Sequence, residues 1–141
     1  MSVELRALVV YESMFGNTQR VAEAVATGLA DSMRVELVEV ASAPRLLDED
    51  LDLLVVGGPT HAHGMSGQGT RRTAADHAEV PVVSAGIGLR EWFDSLRSRP
   101  GVPAAAFDTR FDTPRWLSGS AARNAAARLR QHGYRLAARP E

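Results

Sequence analysis

The chain opens on an unbroken apolar run, Ala7 to Tyr11, within residues 5–11. A short continuous run of this kind predicts a strand buried on both faces. A polar loop, Ser13 to Thr18, follows it. A helical pattern then spans about 18–30, with Val21, Val25 and Leu29 on one stripe facing a sheet. Gly28 weakens that helix by about 1 kcal/mol relative to Ala. Residues 34–40 alternate apolar with charged positions, as expected of a strand at or near a sheet edge. Residues 41–50 hold a Pro and the acidic cluster Asp48-Glu49-Asp50, and predict a connection with a solvated surface. A third strand is expected over 51–56, ended by Gly57-Gly58-Pro59, and a second polar loop runs from Thr60 to Gly69.

Residues 70–78 are compatible with a short helix, and 79–86 read as irregular. A firmer helix is expected over 89–97, where Leu89, Trp92, Phe93 and Leu96 share one face. Ser98-Arg99-Pro100-Gly101 stops it. A fourth strand is expected over 102–107, despite the weak strand propensity of its alanines. The third polar loop is Asp108 to Trp116. Ser118 or Ser120 then caps an Ala-rich helix that runs to about His132 and stops at Gly133. A fifth strand starts at Tyr134-Arg135-Leu136-Ala137, and the sequence ends at Glu141.

Alternating strands and helices imply parallel strands, right-handed crossovers and helices on both faces. The polar loops follow the first, third and fourth strands, so all lie at the same edge of the sheet. In such sheets ligands bind beyond the carboxyl ends of the strands. The first loop adds a feature of its own. Strand, hydroxyl- and Gly-bearing loop, then helix leaves free backbone N–H groups where an anion can sit. The structural alternative is an ordinary turn with Asn17 or Thr18 as the N-cap.

Composition narrows the classes. The 141 residues fit one domain, 1–141, with an ordinary 45% apolar and 23% charged content. A net charge of −1 argues against a nucleic-acid surface. The absence of Cys removes disulfides, thiol redox chemistry and thiolate metal sites. No signal pattern and no membrane-spanning run is present, so a cytoplasmic protein with no membrane partner is the expectation. His61 and His63 have His-x-His spacing, but no third ligand completes a metal site, and none is expected. Arg123, Arg128 and Arg130 read as the solvated face of a helix. Arg110 and Arg115 are candidates for an anionic substrate or a nicotinamide-cofactor phosphate. Trp92 and Phe93 read as core, whereas Trp116 stands in a loop.

The motifs resemble those of a flavodoxin. The family's phosphate loop, a Thr/Ser-rich run ending Gly-Asn-Thr, stands here as Ser13-Met14-Phe15-Gly16-Asn17-Thr18. Its second loop begins Gly-x-Pro-Thr, here Gly57-Gly58-Pro59-Thr60. Gly-Pro-Thr-His-Ala-His-Gly-Met-Ser also resembles the corresponding loop of flavodoxin-like quinone reductases. The resemblance implies a three-layer, doubly wound α/β fold with five parallel strands in the order 2-1-3-4-5 and a shortened C-terminus. It implies FMN as cofactor. Ser13, Met14, Phe15, Gly16, Asn17 and Thr18 would form the phosphate loop. Pro59, Thr60, His61, Ala62, His63 and Gly64 would flank the isoalloxazine ring on one side. Asp108, Thr109 and Arg110 would meet the ring or ribityl chain on the other.

The sequence departs from the family pattern in several places. Phe15 replaces a usual Thr or Ser. The second loop has no Tyr or Trp, and on the third only Phe111 and Trp116 could reach the flavin. The chain ends soon after the fifth strand begins, so either the form is truncated or one edge and one face are bare; marginal stability or a partner is expected there. A charge of −1 also lacks the acidic field of shuttle flavodoxins. The expected function is flavin-dependent electron transfer with a redox partner protein or a small-molecule donor or acceptor. The alternatives are an NAD(P)H- or quinone-linked flavin reductase and a flavin-less interaction module. No residue is singled out as an acid–base catalyst.

Overall fold

Five parallel strands line up in the order β2-β1-β3-β4-β5. They are β1 (Arg6–Tyr11), β2 (Arg34–Glu39), β3 (Leu53–Pro59), β4 (Pro103–Thr109) and β5 (Arg135–Leu136). Among the described residues three α-helices accompany them: α1 (Asn17–Leu29), α2 (Leu89–Ser95) and α3 (Ala121–Gln131). This computed structural model describes residues 4–14, 16–60, 65, 84, 86–97, 101–109 and 120–137. The short helix expected over 70–78 and most of the irregular stretch 79–86 lie outside the described residues.

The central strands are the continuous apolar runs. Val9, Val10, Leu54 and Val56 are fully buried. Burying such a side chain contributes about 1.5–3 kcal/mol. The side chains of β1 and β3 alternate between two cores. One core holds Leu8, Val10, Leu54 and Val56 with Trp92, Phe93 and Leu129, so α2 and α3 cover that face. The other holds Val9, Tyr11, Val55 and Ala22, so α1 covers the opposite face. The result is the expected helix–sheet–helix sandwich. β2 is an edge strand, as its alternating pattern predicts. β5 is the other edge, a two-residue strand paired through Pro103↔Arg135 and Ala104↔Leu136.

The alanines of β4 have a packing reason. Ala104 and Ala106 are buried beneath α3, whose own Ala121, Ala122 and Ala125 face them. Small residues on both surfaces let helix and sheet approach closely, which outweighs their weak strand propensity. Ser120 caps α3 by accepting a hydrogen bond from the Arg123 backbone N–H at 3.2 Å. The other cap candidate, Ser118, lies outside the described residues.

Several sequence expectations are corrected. Val21 is 40% exposed; the face of α1 packed on the sheet runs through buried Ala22 and the partly buried Val25, Ala26 and Leu29. The i, i+4, i+8 rule was one residue out of phase at the helix start. Neither Asn17 nor Thr18 is the N-cap of α1; Gly16 holds that position. β3 continues through Gly57-Gly58-Pro59 instead of ending before them, and β4 continues to Asp108 and Thr109. Neighbouring strands pair across these residues, with Gly57↔Phe107 and Gly58↔Asp108 in register, so the ladder overrides local turn chemistry. α2 ends at Ser95, two residues earlier than expected. Arg128 is not simply solvated: it pairs with Asp94, and its guanidinium lies 5.7 Å from the Phe93 ring centroid. That places it within cation–π range.

Gly57 is required by close approach. The Phe107 ring occupies the space where a Cβ would project. Gly57→Ala is therefore expected to destabilise the fold by about 1–3 kcal/mol through overpacking, as read from urea unfolding midpoints.

Tyr11 makes the stability depend on pH. Burial, reinforced by Glu39 and then Glu23, raises its phenol above the ordinary 10.0. The folded state thus holds that proton more tightly than the unfolded chain. The contribution is fully present below about pH 10 and is lost as pH rises through the folded value. The sequence contains no Lys and no Cys, and its other tyrosine, Tyr134, is common to the native sequence and Tyr11→Phe, so the difference between them isolates Tyr11. Unfolding free energy measured from pH 8 to 11 should fall more steeply for the native sequence than for Tyr11→Phe.

Candidate functional site

The carboxyl ends of β1, β3 and β4 converge at one edge of the sheet. Beyond β1 the chain turns through Glu12, Ser13 and Met14, all buried, before α1 begins. Gly16 adopts φ +92°, a left-handed conformation that a side-chain-bearing residue rarely takes, and nothing stands within 4 Å of where its Cβ would lie. Its N–H donates to Ser13 Oγ at 3.1 Å. No side chain caps α1, and its first turn carries no acidic residue. The first N–H groups of a 13-residue helix therefore point out of a turn floored by glycine. Open N–H donors together with the helix dipole favour an anion there.

Two further strand ends close in on this turn. Thr18 Oγ1 and Thr109 Oγ1 lie 2.7 Å apart, joining the start of α1 to the end of β4. The Thr60 N–H donates to the Thr109 carbonyl at 2.7 Å. Thr60 Oγ1 in turn accepts from the Ala121 N–H at 3.2 Å, at the start of α3. The structure thus brings together Ser13, Gly16, Thr18, Pro59, Thr60 and Thr109. Asn17 is exposed beside them in the first turn of α1. Met14 is buried. Asp108 is committed elsewhere: its Oδ2 accepts from Ser120 Oγ at 2.8 Å and from the Ala122 N–H at 3.0 Å. It acts as a second cap of α3. Phe15, His61, Ala62, His63, Gly64 and Arg110 lie outside the described residues, as do Phe111, Arg115 and Trp116.

Three residues with no motif of their own hold this turn in place. Ser13 and Ser84 clasp each other: the Ser13 N–H donates to Ser84 Oγ at 2.9 Å, and the Ser84 N–H donates to the Ser13 carbonyl at 2.7 Å. Ser84 Oγ then donates to Glu39 Oε2 at 2.9 Å, while Glu39 Oε1 accepts from the Ala41 N–H at 2.8 Å. Glu12, 1% exposed, accepts from the Leu89 N–H at 2.7 Å, at the start of α2. The partners lie 71, 45 and 77 residues apart in sequence, so no local pattern reveals them. A charged residue directly after a fully apolar strand is the single cue that Glu12 offers.

Among the described residues no cluster of three or more His, Asp or Glu could hold a metal ion. Among them, too, no helix is long and apolar enough to cross a membrane.

Strand order and parallel register, with helices on both faces of the sheet, define the doubly wound α/β class. The flavodoxin profile matches residues 9–88, more than half of the chain. The chain belongs to the flavodoxin family, a family of flavin-binding electron-transfer proteins. Solved structures agree on the fold. A flavodoxin from the domain Archaea is 19% identical, with a TM-score of 0.62, and the match covers 94% of this chain and 78% of that one. A short-chain flavodoxin associated with a non-canonical PDU bacterial microcompartment is 18% identical, with a TM-score of 0.65 and coverage of 95% and 80%. A Streptococcus pneumoniae TIGR4 flavodoxin is 18% identical, with a TM-score of 0.63 and coverage of 93% and 79%. No curated protein matches the sequence.

The Ser13–Ser84 clasp is testable by itself. Ser84→Ala strands the N–H of the fully buried Ser13. A buried donor left without a partner costs about 1–3 kcal/mol. A corresponding loss in chemical denaturation is expected, with a smaller loss for Ser84→Thr, which keeps the hydroxyl.

Proposed function

We propose that the chain binds FMN at the carboxyl edge of β1, β3 and β4 and works in electron transfer through it. One observation carries this reading: the uncapped start of α1 after Gly16, with Ser13, Thr60 and Thr109 gathered at the same edge. The fit to a phosphate rests on chemistry the chain already shows. Hydroxyl and backbone N–H donors at a helix start hold a dianion without a cationic side chain. The first turn of α1 carries no acidic side chain, and the missing Cβ of Gly16 leaves room for close approach.

Ser13, Gly16, Asn17 and Thr18 would hold the phosphate. Pro59 and Thr60 would border the ring on one side and Thr109 on the other, with Phe15, His61, Ala62, His63, Gly64 and Arg110 completing the loops. The flavin, when bound, supplies one- and two-electron chemistry; the chain supplies orientation, shielding from water and tuning of potential. Thr18 and Thr109 already satisfy each other by hydrogen bonding, so they fix the separation of the two loops whether or not a ligand is present. Asp108 stabilises the start of α3 and thereby the base of the third loop.

The net charge of −1 favours a second element of the reading. Without a strong field, charge steering towards a basic protein partner is weak. A small-molecule donor or acceptor, such as a nicotinamide nucleotide or a quinone, fits that surface better. Steady-state assays with NADH, NADPH and a quinone separate the two kinds of partner.

FMN fluorescence should be quenched on titration with the purified protein, which should turn yellow. Absence of quenching at tens of micromolar FMN overturns the reading. Asn17→Asp places a negative charge at the phosphate position while complementing the helix dipole. It should weaken FMN binding about tenfold or more, roughly the effect of 1.4 kcal/mol. Riboflavin, which has no phosphate, should bind both forms alike.

A further inference from the structure

β2 is an open edge: its only partner among the described residues is β1. The Arg34 N–H donates to the Leu5 carbonyl at 2.7 Å, so the backbone groups of Arg34 face β1. In a parallel ladder alternate residues turn to the same neighbour. Val35 and Leu37 therefore direct their N–H and C=O groups outward. The side chains of Arg34 and Glu36 lie on one face of the strand, and both residues are exposed. Neither forms an ion pair with any described residue. Leu46 is 65% exposed and lines a cleft of about 490 Å³ together with Arg34, Val35 and Glu36.

We propose that two copies of this chain associate through antiparallel, two-fold pairing of their β2 edges, centred on Val35. Charge order selects this register. Centred on Val35, the pairing puts Arg34 opposite Glu36 of the second copy, and the symmetry repeats that contact. Centred on Arg34 or on Glu36, it sets two like charges face to face. Centred on Leu37, it sets Glu36 opposite Val38. Only the Val35-centred pairing satisfies both charges.

The hydrogen-bond phase agrees with that register. Val35 meets Val35 of the second copy as a hydrogen-bonded pair and exchanges two N–H···O=C bonds. Arg34 and Glu36 then form non-hydrogen-bonded pairs, the closer kind, about 4.5 Å between Cα atoms. An Arg guanidinium there can meet the carboxylate bidentately. Charged residues on an edge strand usually keep copies apart. Here their order turns the same charges into a self-complementary match, an isologous contact that closes at two copies. The joined sheet has ten strands, with both α1 helices on one face.

Sedimentation velocity from about 1 to 200 μM, where modest sheet interfaces dissociate, tests the proposal. The native sequence should show a concentration-dependent monomer–dimer equilibrium. Arg34→Glu turns two attractive cross-strand contacts into repulsive ones and should weaken the dimer about tenfold or more. Arg34→Glu combined with Glu36→Arg should restore it to within about threefold of the native value, since opposite charges again face each other. Val35→Pro removes an outward N–H without touching the β1 ladder and should abolish the dimer. Far-UV circular dichroism confirms that each variant is folded. A native protein that stays monomeric throughout, or a dimer indifferent to both Arg34→Glu and Val35→Pro, overturns the proposal.

Discussion

The parallel register of β1, β3 and β4 is the constraint on which the rest depends. Parallel strands send their chain ends the same way, so Ser13, Thr60 and Thr109 emerge at one edge although they are far apart in sequence. The 2.7 Å contact between Thr18 and Thr109 hydroxyls, across 91 residues, follows from that register. A shift of one residue in either strand pairing would invert its buried faces and pull these groups apart. The apolar runs that fill both cores therefore also fix the geometry of the site.

The turn after β1 is held from several directions. Gly16 supplies the left-handed backbone, Ser13 Oγ receives its N–H, and Ser84 clasps Ser13 from another segment. Glu39 anchors Ser84, and Glu12 reaches across to α2. Each of these contacts satisfies a buried polar group that would otherwise carry a desolvation cost. Together they hold the turn before α1 in place, as the proposed anion site requires. Preorganisation of this kind reduces the ordering cost of binding.

The two ends of the sheet divide the labour. The carboxyl edge carries hydroxyl and amide donors. The lateral edge at β2 carries Arg34 and Glu36 in an order that complements itself. Among the described residues, β2 reaches the turn after β1 through Glu39, at the end of the strand opposite Arg34.

The sequence by itself determined the class of fold. Continuous apolar runs in β1, β3 and β4 and alternation in β2 distinguish buried from edge strands, because the side-chain period reports how many faces are covered. The spacing of Gly-Asn-Thr and Gly-Gly-Pro-Thr pointed to two loops at one edge of the sheet, the edge at which the site is proposed. Trp92 and Phe93 were legible as core from their helical spacing. The tertiary structure decided the rest. It extended β3 through its two glycines and β4 through Asp108 and Thr109, since ladder pairing there prevails over local turn preference. It displaced the buried stripe of α1 onto Ala22, because the contact face depends on where the sheet lies rather than on residue size alone. It also turned Asp108 towards α3 and recruited Glu12, Glu39 and Ser84. Such long-range hydrogen bonds leave no periodic mark in a sequence; they exist only once the strands have been laid side by side.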